Sequence, residues 1–237
     1  IHIPAGCFEN VAYLSTWLQN WLQAHQPTDI FLDTFPAGIM GEWHMPVHQV
    51  ARFHYIGRYL KLPAYHFAAN LSFTSAYRLE AWHPAQEVLL QEYARECKDF
   101  DLHYPAVELS PEVRDQISGW RQKGQEVWAV VHSEPAEEVE ALLSFARDLA
   151  RLAGVEPAFL LLSCLPYPEE QAQLLKLFPA YGLFPEADRI ITGCGFNLMR
   201  QAAAFRHKHS CMPFPRRYDD QFVRFQRWKA QALSQPK

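Results

Sequence analysis

Apolar and polar positions along the chain follow two periods in turn. Val11, Leu14, Leu18 and Leu22 recur at helical spacing within 8–25, with Gln19, Asn20 and Gln23 opposite, and Pro27 closes that segment. Asp29-Ile30-Phe31-Leu32-Asp33 is a compact strand pattern, followed by a proline- and glycine-rich loop over 34–42. The pattern predicts a helix over 47–60, a strand over 64–69, and an amphipathic helix over 84–97 with Val88, Leu89 and Tyr93 inward. Residues 99–111 read as irregular, and Ser110-Pro111-Glu112 starts a short helix.

The second half repeats the rhythm more cleanly. Val127-Trp128-Ala129-Val130-Val131 reads as a buried strand and His132-Ser133-Glu134-Pro135 as a turn. Val139, Leu142, Leu143, Ala146 and Leu149 mark a helix, with Ser133 as its expected N-cap. A strand over 158–163, a helix over 169–178 and a strand over 209–214 follow, and Asp219-Asp220-Gln221 opens a helix carrying Phe222, Phe225 and Trp228. Between them, Ile190 and Ile191 give a β-branched run, Gly193 and Gly195 permit a tight turn, and helical spacing begins at Phe196. Strands alternating with helices imply an α/β fold with parallel sheets covered on both faces. The polar stretch over 119–125, with two glycines, divides the chain into expected domains 1–122 and 123–237.

Composition narrows the function classes. The 237 residues are 49% hydrophobic and 20% charged, a globular balance. No apolar run reaches the roughly 18 residues of a membrane span. A net charge of -4 and a pI near 6.3 argue against broad nucleic-acid binding, which requires a basic surface. Cys7, Cys97, Cys164, Cys194 and Cys211 are odd in number, scattered and never in a Cys-x-x-Cys pair, a pattern of reduced cytoplasmic thiols. Ile1-His2-Ile3 reads as the tail of a strand already under way, so the first domain is expected to be incomplete at its N-terminus.

The turn from Gly193 to Asn197 carries the main candidate chemistry. A strand, a glycine turn and a helix start direct backbone N–H groups and the helix dipole toward one point, which suits an anion such as a pyrophosphate; the same turn also serves packing alone. Asn197 and Gln201 stand four apart on one expected face, with Phe196, Met199 and Ala203 inward. Asp33 and Glu42 flank the loop after the first strand and are candidates for binding a substrate hydroxyl or acting as a base; loop capping and a helix's first turn are the alternatives. His44 and His48 have the spacing of two ligands on one helix, with His54 nearby. Pro46 interrupts the turn and no acidic partner lies between them, so no metal site is expected. Glu134, Glu137 and Glu138 crowd one helix start, where they would repel a phosphate.

Three pieces stand in one order: Asp33-Thr34-Phe35-Pro36-Ala37-Gly38 with Gly41-Glu42, then Thr192-Gly193-Cys194-Gly195-Phe196-Asn197, then Pro213-Phe214-Pro215-Arg216-Arg217-Tyr218-Asp219-Asp220-Gln221. Together they resemble the predicted glycosyltransferases related to the UDP-N-acetylglucosamine transferase of lipid II synthesis. The resemblance implies two Rossmann-like domains facing across a cleft (GT-B-like), the first on the acceptor side and the second holding a nucleotide-sugar donor such as a UDP-sugar. It further implies that Gly193, Gly195, Phe196 and Asn197 face the donor phosphates and that Asp219, Asp220 and Gln221 approach the sugar or nucleotide. Gln201 stands where the family usually places a ribose-binding glutamate. Arg216 and Arg217 read as an exposed surface pair, with added charge for the phosphate region as the alternative. The implied reaction is a metal-independent, cofactor-free transfer to an unknown hydroxyl acceptor, with Asp33 and Glu42 the candidate catalytic groups. The alternative is a catalytically inactive module of the same fold that binds a protein partner; a sugar-nucleotide epimerase ranks third.

Overall fold

Asn10 opens the first helix by accepting hydrogen bonds from the Ala12 and Tyr13 N–H groups at 2.9 and 3.3 Å, so α1 runs Val11–His25. The structure, a computed structural model, describes residues 3, 5–44, 51–61, 72–166 and 172–234. The chain forms two units, Ile1–Leu102 with Arg217–Asp220, and His103–Arg216 with Gln221–Lys237. Among the described residues no helix is long and apolar enough to cross a membrane.

In the first unit, β1 (Asp29–Asp33), β2 (Arg52–Gly57), β3 (Ser75–Arg78), α2 (Pro84–Tyr93) and β4 (Cys97–Asp99) follow α1. The four strands are parallel and lie side by side in chain order. The helix expected over 47–60 is corrected here: its later part is β2. Phe53, Tyr55 and Gly57 recur with period two on one buried face, and pairing with β1 overrides the helical reading. The strand expected over 64–69 lies outside the described residues, as does His48. The helix expected over 84–97 ends at Tyr93, and Cys97 instead pairs with Ala76. Gln86 and Leu90, not Val88, face the core, because Gln86 Nε2 donates to Arg58 O (2.8 Å) and its Oε1 accepts from Leu60 N–H (3.2 Å).

In the second unit the elements are α3 (Pro111–Gln122), β5 (Val127–Val131), α4 (Ala136–Ala153), β6 (Ala158–Leu162), β7 (Gln173–Leu174), β8 (Arg189–Gly193), α5 (Phe196–Gln201), β9 (His209–Met212) and α6 (Gln221–Ser234). All five strands are parallel, in the order β7-β6-β5-β8-β9. Every residue of β5 is buried, and its alternation feeds two cores. Val127, Ala129 and Val131 pack with Ile117, Leu160, Leu183 and Ile190, whereas Trp128 and Val130 pack with Leu142, Leu143, Leu161 and Ile191. At the amino ends of β5 and β8, Val127 N–H donates to the Asp188 carboxylate (2.8 Å) while Asp188 N–H donates to Val127 O (2.7 Å), a reciprocal clasp between neighbouring strands.

Two expectations for this unit are corrected. Residues 172–178 are not helical; β7 pairs with β6, and Leu175 N–H bonds Leu161 O at 2.8 Å. Pro135, not Ser133, caps α4: its carbonyl accepts from Glu138 and Val139 N–H, and a residue preceding proline is driven to extended backbone. Ser133 O instead accepts from Ser163 Oγ at 3.0 Å.

Candidate functional site

β5 is first in the chain but central in its sheet; β6 and β7 add to one side, β8 and β9 to the other. Connections leave in opposite directions at such a reversal, opening a crevice beyond the carboxyl ends of the two strands at the switch. Val131 pairs with Thr192 there, so the next residues, His132 and Gly193, form the rim. The glycine turn singled out in the sequence therefore sits at the switch point of the sheet.

Gly193 is closely packed, and a side chain there would press on its neighbours. A β-carbon there would lie 3.2 Å from Cε1 and Nδ1 of His132 and 3.4 Å from the Phe214 ring. Gly195 begins α5 with no side-chain cap, leaving its first-turn N–H groups without that partner. Phe196 is buried, Asn197 is exposed and Gln201 is half-buried at the end of α5. Ala203, expected inward, is exposed because α5 gives way to a 3-10 helix at that residue. Gln221, the first residue of α6, accepts from Phe214 N–H at 3.0 Å, and its Nε2 lies 4.0 Å from the place of a Gly195 β-carbon. Buried Arg224 donates to Cys194 O at 2.9 Å, fixing the turn from behind.

A charged cluster adjoins the turn. Arg216 donates through Nη1 and Nη2 to both Glu138 oxygens at 2.5 and 2.6 Å, and His132 Nε2 lies 2.7 Å from Glu138 Oε2. Burial pushes the Glu138 carboxyl upward, but the bonds to Arg216 and His132 outweigh it and hold the group below its ordinary range. Arg216 is thus one half of an ion pair, correcting the reading of an exposed pair, because Glu138 at the start of α4 meets it; Arg217 is exposed, its guanidinium 4.8 Å from the Tyr218 ring centre. The crowding of acids at this helix start is relieved by the same contact. Behind β8, the Thr192 hydroxyl donates to Gly193 O and accepts from His209 Nε2–H, each at 2.8 Å. Burial, with Arg206 adding, pushes His209 down to about 4, so it is neutral at pH 7.

In the first unit, Asp33 ends β1 and pairs with Arg58 at 2.8 Å, and Glu42 Oε2 accepts from Met40 N–H at 2.9 Å. The Glu42 carboxylate lies over Gly38 where a β-carbon would be, and Gly38 has a φ of +86°, so this loop is built around Glu42. Asp219 and Asp220 are half-buried and belong to Arg217–Asp220 in this unit, whereas Gln221 belongs to the second; the helix opens at Gln221 itself. The structure thus brings Gly193, Gly195, Phe196 and Gln221 together in the second unit.

Sequence reasoning passed over His132 and Glu138 as parts of this site. Their signal is the end of a fully buried strand, which acquires meaning once the strand order is known. No family model matches the chain, and no curated protein sequence matches it. Among solved structures it is similar to the crystal structure of the glycosyltransferase SnogD from Streptomyces nogalater, at 15% identity over 91% of this chain, with a TM-score of 0.45. This chain spans 62% of the length of that one.

Proposed function

We propose that the chain is a glycosyltransferase that moves a sugar from a nucleotide-sugar donor to a hydroxyl acceptor. The supporting observation is the coincidence of the Gly193–Asn197 turn with the switch point of the second sheet, where open α/β sheets take their ligands. In this reading residues 123–237 hold the donor and 1–122 serve the acceptor. The donor diphosphate lies against the Gly193 to Asn197 backbone, and Asn197 and the Gln221 amide serve sugar or ribose hydroxyls, with Asp219, Asp220 and Gln201 as further candidates. Amide hydrogens there stabilise the departing diphosphate, and Asp33 or Glu42 takes the acceptor proton.

Calorimetric titration with UDP, UDP-sugars and other nucleotide sugars tests the reading. Binding is expected for at least one donor, weakened at least about tenfold by Gly195→Val, whose side chain enters the backbone approach. Silence across the panel removes the reading. The non-catalytic module then stands, favoured by one observation: both Arg216 Nη atoms are committed to Glu138 rather than presented to a phosphate.

A further inference from the structure

Four residues of the second half, Arg217–Asp220, belong to the first unit, although the chain on either side of them belongs to the second. Their hold on the first unit has two parts. Lys61 N–H donates to Tyr218 O at 2.7 Å, and the Tyr218 ring meets the Phe35 ring edge-on, with 5.5 Å between centres. Both contacts stand on fixed ground. Beside Phe35, Thr34 O accepts from the hydroxyl of fully buried Tyr55 at 2.9 Å, and next to Lys61 the Leu60 N–H donates to the buried Gln86 side chain at 3.2 Å. Phe35 itself lies in the loop between Asp33 and Glu42.

On either side of the four residues the chain is tied to the second unit. Arg216 grips Glu138 through two bonds, and Gln221 Oε1 accepts from Phe214 N–H at 3.0 Å. Tyr218 stands two residues from the first tie and three from the second, and fully extended chain covers at most about 7 and 11 Å over those intervals, so there is little slack. A tie that lets go leaves residues for the Tyr218 clip to order alone, and a clip that lets go does the same to the ties. We infer that Arg217–Asp220 is a coupling strap, which makes the order of the 34–42 loop depend on the order of the 214–221 segment beside the glycine turn, and the reverse. The Gln221 amide, 4.0 Å from the place of a Gly195 β-carbon, is where the strap rejoins that turn. No nucleotide enters this coupling, so it stands or falls apart from the donor reading.

Amide hydrogen exchange of the whole chain, read residue by residue by NMR, follows both ends of the strap without any ligand. The Lys61 amide reports the clip, the Phe214 amide reports the second tie, and the amides of β2 and β5 give the background. Tyr218→Ala is expected to speed exchange at Phe214, and Arg216→Gln to speed it at Lys61, each by at least about fivefold over that background, because coupling between two places is reciprocal. Should Tyr218→Ala fail to fold, Tyr218→Leu is read in its place. A segment that merely packs would let each variant speed the reporter in its own unit and leave the other at background, and that result overturns the inference. Acceleration of every amide by one factor overturns it too, since this is loss of the fold rather than passage through the strap.

Discussion

The two sheets of this chain are both parallel, yet they differ in strand order and in wetness. The first runs β1-β2-β3-β4 without reversal. Its strands carry polar side chains on one face, where Phe31 stacks on His54 with Tyr77 tilted beside both, and Phe31 is 55% exposed. Ion pairs lace it: Arg52 with Asp29, Arg58 with Asp33, Arg78 with Asp99. The hydrogen bond from Arg52, then that from His54, hold the Asp29 carboxyl well below the usual carboxylate range. The second sheet reverses at β5 and buries both its faces. The reversal sets the ends of β5 and β8 at a switch point, and His132 and Gly193 are buried there.

The largest expected break in this contrast is Trp128→Ala. The ring is fully buried, stacked under the Arg189 guanidinium at 4.8 Å, and its Nε1–H donates to Glu126 at 2.6 Å. Its removal is expected to cost about 3–5 kcal/mol in denaturant unfolding followed by circular dichroism.

Next comes acid sensitivity of the second unit. An unfolded histidine binds its proton below about 6.5, whereas folded His209 resists until about 4, so stability falls across that window as pH drops. At its lower end the loss is on the order of 3 kcal/mol. Glu138 acts in the same direction, its contribution being lost as pH falls through its lowered folded value. His209→Gln, which keeps a donor for Thr192, should flatten the profile of melting temperature against pH between those limits. A slope unchanged by the substitution would assign the acid sensitivity elsewhere.

The smallest effect is expected on the wet face. Phe31→Ala should shift stability by no more than about 0.5 kcal/mol, read by the same denaturant titration, because the ring is already more than half in water.

The same contrast decided what could be read from the residues alone. Val127 to Val131 and Ala158 to Leu162 are runs that only a doubly covered strand tolerates, and both were placed within a residue of their observed limits. Arg52 to Gly57 mixes aromatics with charge, with Arg52 exposed and His54 buried against Phe31, and its period-two signal was submerged in a longer helical repeat. The glycine turn was legible as a strand-to-helix transition. Its place at the switch point was not, since strand order depends on pairings between residues far apart in the chain, such as Val131 with Thr192. The pairing of Arg216 with Glu138 was hidden for the same reason, since 78 positions separate the two.

The clasp between Val127 and Asp188 lies at the floor of β5 and β8, five residues below the rim and, at strand spacing, about 16 Å from it. A slip of one residue there would carry His132 past Gly193 and turn its ring to the opposite side of the sheet. The aspartate thus works as a gauge block: alignment set at the foundation is inherited by the aperture. Anyone reshaping the aperture for a new ligand is also choosing, unknowingly or not, whether to keep the foundation that calibrates it.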